Sequence, residues 1–320
     1  MSASGGTKAI LAAFLANTGI AVTKFIAWFF SGSASMLAEA VHSVADAGNQ
    51  LLLFFGGRQA KREADREHPF GYGRERYVYA FVVSIILFSV GGVFSIYEGI
   101  DKLTHPHELE VPWLPILVLA IAIVLESLSL RTAVKESNRI RGKQNWVQFV
   151  RRAKAPELPV VLLEDVAALT GLFFALLGVG LTVITGDSTF DAIGTLMIGT
   201  LLIVVAIILG IETKSLLVGE GANEADVAKI REAILAGPEA ERIIHMKTLY
   251  LGPDELLVAA KLGFHGGESL AEVSTAINVI EQRIRRAVPS ARVIYVEPDI
   301  YVDPNLTAPP TDAIVIKGLE

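Results

Sequence analysis

The sequence predicts an all-α membrane domain of six transmembrane helices followed by a small cytoplasmic α+β domain. Three observations predict it. Mean hydropathy is +0.49, and 52% of the 320 residues are hydrophobic. The apolar residues gather in stretches of about 20 up to residue 213, the length at which a helix crosses a bilayer. Beyond that point the chain alternates apolar and polar residues as a water-soluble domain does.

The six spans are expected at about Ala9–Phe30, Ser35–Phe55, Tyr77–Ile100, Trp113–Val134, Leu158–Ile184 and Phe190–Ile211. The Gly, Ser and Pro breaks "SGSAS", "THPHELEVP" and "TGDS" separate several of them. In the second domain "EADVAKIREAIL" has helical periodicity. The segments "RIIHMKTLYL" and "ELLVAAKLGF" read as strands around a "GPD" turn. "SLAEVSTAINVIEQRIRRAV" is a longer amphipathic helix, and "ARVIYVEPDI" is a last strand. The order α-β-β-α-β suits a ferredoxin-like sheet with helices on one face. Three regions are therefore expected: transmembrane residues 1–213, cytoplasmic residues 214–303 and a loosely held tail, 304–320.

Charge sets the orientation. Arg58, Lys61, Arg62, Arg66, Arg74 and Arg76 fall between the second and third spans. Arg131, Lys135, Arg139, Arg141, Lys143, Arg151, Arg152 and Lys154 fall between the fourth and fifth. The opposite loops hold little basic charge apart from Lys102, so the positive-inside rule puts both termini in the cytoplasm. Residues from Ser215 onward carry 16 acids against 10 bases, which accounts for the whole net charge of −6. That distribution argues against a nucleic-acid partner. With no cysteine, disulfides and thiolate metal sites are excluded. The start "MSASGGTK" does not read as a cleavable signal peptide. No organic cofactor is expected.

Ionisable groups at membrane depth need partners or water. The second span carries Glu39, His42 and Asp46, and the fourth carries Glu126. The fifth carries Glu164 and Asp165. Glu98 and Asp191 lie near span ends, where water is expected to reach them. Lys24 in the first span is the main candidate to pair with an acid. His42 and Asp46, four apart, share a helix face that Asn49 continues and Glu39 precedes. Imidazole with carboxylate suits Zn(II), and also Mn(II) or Fe(II). The competing reading of this pair is a His–Asp contact that joins two helices. Asp165 is the best-placed donor from another span. Glu164 points about 100° away round the helix, by the pitch of 3.6 residues per turn. In "DREHPFGYGRERY", Asp65 and His68 could form a weak loop site, although Pro69, Gly71 and Gly73 suggest a fixed turn.

The segments "SGSASMLAEAVHSVADAGNQ", "HPFGYGRERY" and "SIYEGIDKL", with six spans and the α-β-β-α-β tail, resemble the cation diffusion facilitator family of divalent-metal transporters. "LLEDVAALTG" and "FDAIGTLMIGTLL" look closest to the branch that includes the animal mitochondrial zinc transporter. The resemblance implies a homodimer in the lipid bilayer that exchanges a cytoplasmic divalent cation, Zn(II) foremost, for protons. It implies a transport site with two ligands on the second span, here His42 and Asp46, and two on the fifth. Asp165 matches one of these; Val161 stands at the other and cannot bind metal. Glu164, Asn49, Glu126 or water are the candidates for the fourth place. Tyr72 stands where the family's loop site commonly adds a histidine. His245, His265 and Glu297 are the only traces of the family's cytoplasmic metal cluster. Alternatives are a transporter of the same family preferring Mn(II) or Fe(II), or a metal-sensing membrane scaffold that does not transport. An intramembrane metallohydrolase would need a motif such as HExxH, which is missing, so no enzyme is expected.

Overall fold

The computed structural model describes residues 3–106, 109–111 and 113–301, with side chains from Asn17 onward. The chain divides into two units at Val218/Gly219. The first is helical: α1 (Ala3–Ser31), α2 (Ala34–Gln59), α3 (Glu75–Ile86), α4 (Phe94–Thr104), α5 (Trp113–Arg141), α6 (Trp146–Arg152), α7 (Glu157–Thr185) and α8 (Thr189–Val218). A π-helical segment, Leu87–Val93, joins α3 to α4 into one 30-residue helix.

Among the described residues, four helices are long and apolar enough to cross a membrane: Glu75–Thr104, Trp113–Arg141, Glu157–Thr185 and Thr189–Val218. The chain is thus an integral membrane protein. α2 is long enough, but Glu39, His42, Asp46 and Asn49 lower its apolarity. Six spans therefore remain an expectation: α1 and α2 are both long enough to cross, and α2 is the more polar of the two.

Helix ends follow the breaks in the sequence. Gly32 takes a left-handed φ of 65° between α1 and α2, and the Ser33 hydroxyl then accepts from Met36 N–H as the α2 cap. Gly186 closes α7 in the left-handed conformation. The α5 helix continues through Arg131, Lys135 and Arg139 to Arg141, so part of the expected basic loop is helical. Charge lowers hydropathy without opposing helix, because Lys, Arg and Glu are good helix formers. Asn145 and Gln148 then form a capping box that starts α6. α8 runs to Val218, past the expected end of the membrane domain.

Close packing around α8 organises the first unit. At Gly199 a Cβ would lie 2.9 Å from Ile96 N and 3.0 Å from the Gly92 carbonyl oxygen. Only glycine lets α8 approach the π segment and α4 so closely. The unit's buried core includes Met36, Leu87, Leu119, Leu172, Ile198, Leu202 and Leu209, drawn from α2, the π segment, α5, α7 and α8.

The second unit has the order α9 (Glu224–Leu235), β1 (Arg242–Gly252), β2 (Glu255–Gly263), α10 (Leu270–Ala287) and β3 (Ala291–Asp299). β1 and β2 pair antiparallel around Pro253–Asp254; β2 and β3 pair parallel, with α10 as the crossover. The strand order is β1-β2-β3. Leu256, Val258, Ala260 and Leu262 of β2 are buried in a core with Ile230 and Ile234 of α9 and Ile280 and Ile284 of α10. This period of two is the alternation expected of a sheet covered on one face. The three-stranded α-β-β-α-β arrangement matches the predicted element order; the ferredoxin-like assignment stays a proposal. The expected tail, 304–320, lies outside the described residues.

Candidate functional site

The site begins with the fixing of α2. Asp191, at the start of α8, is fully buried. Its carboxylate accepts from Ser33 Oγ at 2.9 Å, Ala34 N at 2.8 Å and Ser35 N at 3.3 Å. An acid over the first amides of a helix is favoured by both orphan donors and macrodipole. Ser35 Oγ donates to the Asp191 carbonyl, and Lys102 Nζ donates to the Gly32 carbonyl at 3.0 Å. The expectation that water reaches Asp191 is therefore corrected: the α2 N-terminus, with its own donors, covers it.

From that anchor, α2 presents Glu39, His42, Asp46 and Asn49 along one stripe at steps of three and four. His42 Nε2 lies 3.5 Å from Asp46 Oδ2. Both His42 nitrogens are buried with no hydrogen-bond partner. Asp46 Oδ1 and Asn49 Oδ1 are likewise buried and unbonded. The π segment faces the same imidazole, since a Cβ on Gly91 would lie 4.0 Å from His42 Nδ1. π-helical turns recur at functional sites because they displace the local register.

The other expected residues divide by partner. Glu164 of α7 is buried, and its Oε1 accepts from Asn49 Nδ2 at 2.8 Å. Asp165, 8% exposed, accepts from Ser129 Oγ of α5 at 3.1 Å. Glu126 of α5 lies within electrostatic range of His42, Asp46 and Asp165. Val161 packs partly buried against the apolar core. Glu39 pairs at 3.0 Å with Lys24 Nζ of α1, the base expected to pair with an acid. Lys24 Nζ also donates to Ser43 Oγ at 2.7 Å. Among the described residues no three His, Asp or Glu groups are brought into one ready-made metal cage. His42 and Asp46 adjoin, while Asp165 is turned toward Ser129. Ser43, Ser129 and Ser33 were missed in the sequence, where a serine within a span carries no distinguishing signal.

The loop pair resolves differently. Asp65 Oδ1 accepts from the His68 and Glu67 amides at 2.7 and 3.0 Å, and Oδ2 accepts from the Tyr72 hydroxyl at 2.6 Å. Tyr72 first, then the His68 amide, hold the Asp65 carboxyl below its usual range. Its oxygens serve the turn, and His68 Nδ1 stands 3.6 Å away. In the second unit Glu297 pairs with Lys261 at 3.0 Å, and His265 pairs with Glu241.

The family model described as the cation efflux transmembrane domain matches residues 10–218. Similar proteins include the proton-coupled zinc antiporter SLC30A9, mitochondrial, of Xenopus laevis, 34% identical over 83% of this chain and 48% of its own length. Its Homo sapiens counterpart is 33% identical over 82% of this chain and 46% of its own length. The cation-efflux pump FieF of Klebsiella pneumoniae is 25% identical over 95% of this chain and 94% of its own. The chain spans about half the length of the antiporters it matches.

Proposed function

The chain belongs to the cation efflux family, and on that premise we propose that it is a proton-coupled antiporter moving a divalent cation, zinc, out of the cytoplasm. The family is one of transporters rather than enzymes. The observation that carries the reading is His42: a buried imidazole with both nitrogens unbonded, beside a carboxylate, on the helix that Asp191 anchors. An unsatisfied buried polar group is costly unless a ligand completes it. Imidazole with carboxylates favours zinc over the harder cations.

His42 and Asp46 receive the ion from α2, and Asp165 turns from Ser129 to reach it from α7. Glu126 or water completes the shell, because Asn49 already engages Glu164. Binding requires neutral imidazole and ionised carboxylates, so each ion that enters displaces protons. Protons arriving from the opposite face compete for the same groups and release it. The basic segments after α2 and along α5 support cytoplasmic termini. The family resemblance supports a homodimer.

Purified protein in proteoliposomes with a zinc gradient and an internal pH dye tests the reading. Wild type should move protons against zinc. Asp46→Asn and Asp165→Asn should each abolish that flux while keeping wild-type expression. Wild-type flux from both variants overturns the site.

A further inference from the structure

Lys24 takes no part in the scheme above, yet it is 1% exposed and held by two bonds to α2. Both partners flank His42 in the chain. Ser43 follows it directly, and Glu39 precedes it by one turn, itself fully buried. The remaining Glu39 oxygen, Oε1, has no hydrogen-bond partner and faces Gly171 of α7, where a Cβ would lie 2.7 Å from it. The Lys24–Glu39 ion pair therefore sits beside His42, with neither partner bonded to His42, Asp46 or Asp165.

A buried ion pair is a poor staple. The desolvation of two charges offsets most of their attraction, and apolar replacements of similar volume are often as stable. Charge acts at a distance, though, and the low dielectric at membrane depth carries it further than water would. Lys24 and Glu39 both lie within electrostatic range of His42 and Asp46. We propose that the Lys24–Glu39 pair is a built-in counter-charge that sets how tightly the His42 site holds its divalent cation. The ammonium repels the ion so that it can leave, and the carboxylate limits that repulsion so that it can bind. This rests on the reading of His42, Asp46 and Asp165 as the ion site. Lys24 and Glu39 are then affinity-setting residues, not ligands.

The two halves of the pair act with opposite sign, which a staple does not. Zinc binding by isothermal titration calorimetry on the full chain in detergent separates these cases. Lys24→Met should tighten binding about tenfold, and Glu39→Gln should weaken it about tenfold. The double variant should return to within about threefold of wild type, because the two opposed single effects cancel when they add. In proteoliposomes Lys24→Met should lower both KM and the maximal rate, because a tighter site releases more slowly. Weakening by both single variants, or no change in either, overturns the proposal. Should Lys24→Met fail to fold, Glu39→Gln and the double variant decide: a weakened single without recovery in the double overturns it. Asp46→Asn is the control for the underlying reading. If it binds zinc as wild type does, the site assignment fails; if it loses binding while Lys24 and Glu39 variants stay unchanged, only the counter-charge proposal fails.

Discussion

Asp65 shows how a single side chain holds a turn. Three donors converge on it: the Tyr72 hydroxyl and the amides of His68 and Glu67. Every one of them favours the ionised carboxylate, so its pKa is lowered from the ordinary value near 3.8. The sign follows by linkage. A depressed folded-state pKa contributes order that is fully present above the unfolded value and is lost as pH falls through the folded one. The His68 amide should therefore keep its hydrogen-exchange protection, corrected for intrinsic rate, from pH 7 down through pH 5, losing it only below about 4. Protection that already fails at pH 5 would show that the carboxylate does not hold the turn. The spacing of Asp65 and His68 was legible in the sequence, but their bonding was not. A D-x-x-H pair reads alike in sequence whether its oxygens face an ion or the chain's own amides, and the Tyr72 hydroxyl that bonds Oδ2 lies seven residues on, outside that spacing.

At the scale of elements, the sequence made plain what hydropathy and spacing encode. The apolar stretches mark where long helices run, and the glycines and serines mark where several end. The His42–Asp46 contact is internal to α2, so the helical period alone foretold it. Contacts such as Asn49–Glu164 and Ser129–Asp165 depend on how two helices are rotated against each other, which a single helix's period does not specify. The π segment was equally hidden, because its extra residue changes register without changing composition. Glycines carry part of this missing information. Gly199 meets Gly92 O and Ile96 N at contact distances that a methyl cannot share. Gly199→Ala should therefore cost about 1–3 kcal/mol as α8 is pushed from the π segment. Gly180, inside the last third of α7, has nothing within 4 Å of its Cβ position. Gly180→Ala should instead stabilise by about 0.5–1 kcal/mol through helix propensity. Equilibrium unfolding in mixed micelles reads both, and equal shifts in the two variants would refute the close-approach argument.

The whole molecule is two units with separate cores. The apolar core of the helical unit and the core beneath β2 share no residue. A unit whose sheet is covered on one face by its own two helices satisfies its backbone and buries its apolar face without help from the rest of the chain. Two of its helices also carry their own start signals: Asn223 caps α9, and Ser269 with Glu272 forms a capping box on α10. A fragment beginning at Gly219 should therefore fold alone and unfold in urea as one cooperative transition. Ile284 of α10 is fully buried in that core, so Ile284→Ala should lower the fragment's stability by roughly 2–5 kcal/mol. In the full chain the same substitution should leave zinc affinity at the proposed His42 site unchanged, because none of the residues proposed to shape that site belongs to the second core. A fragment that stays unfolded would refute the independence of the two cores. A full-length Ile284→Ala variant that folds and yet binds zinc more weakly would do so by a different route, placing a determinant of the proposed ion site beyond Val218.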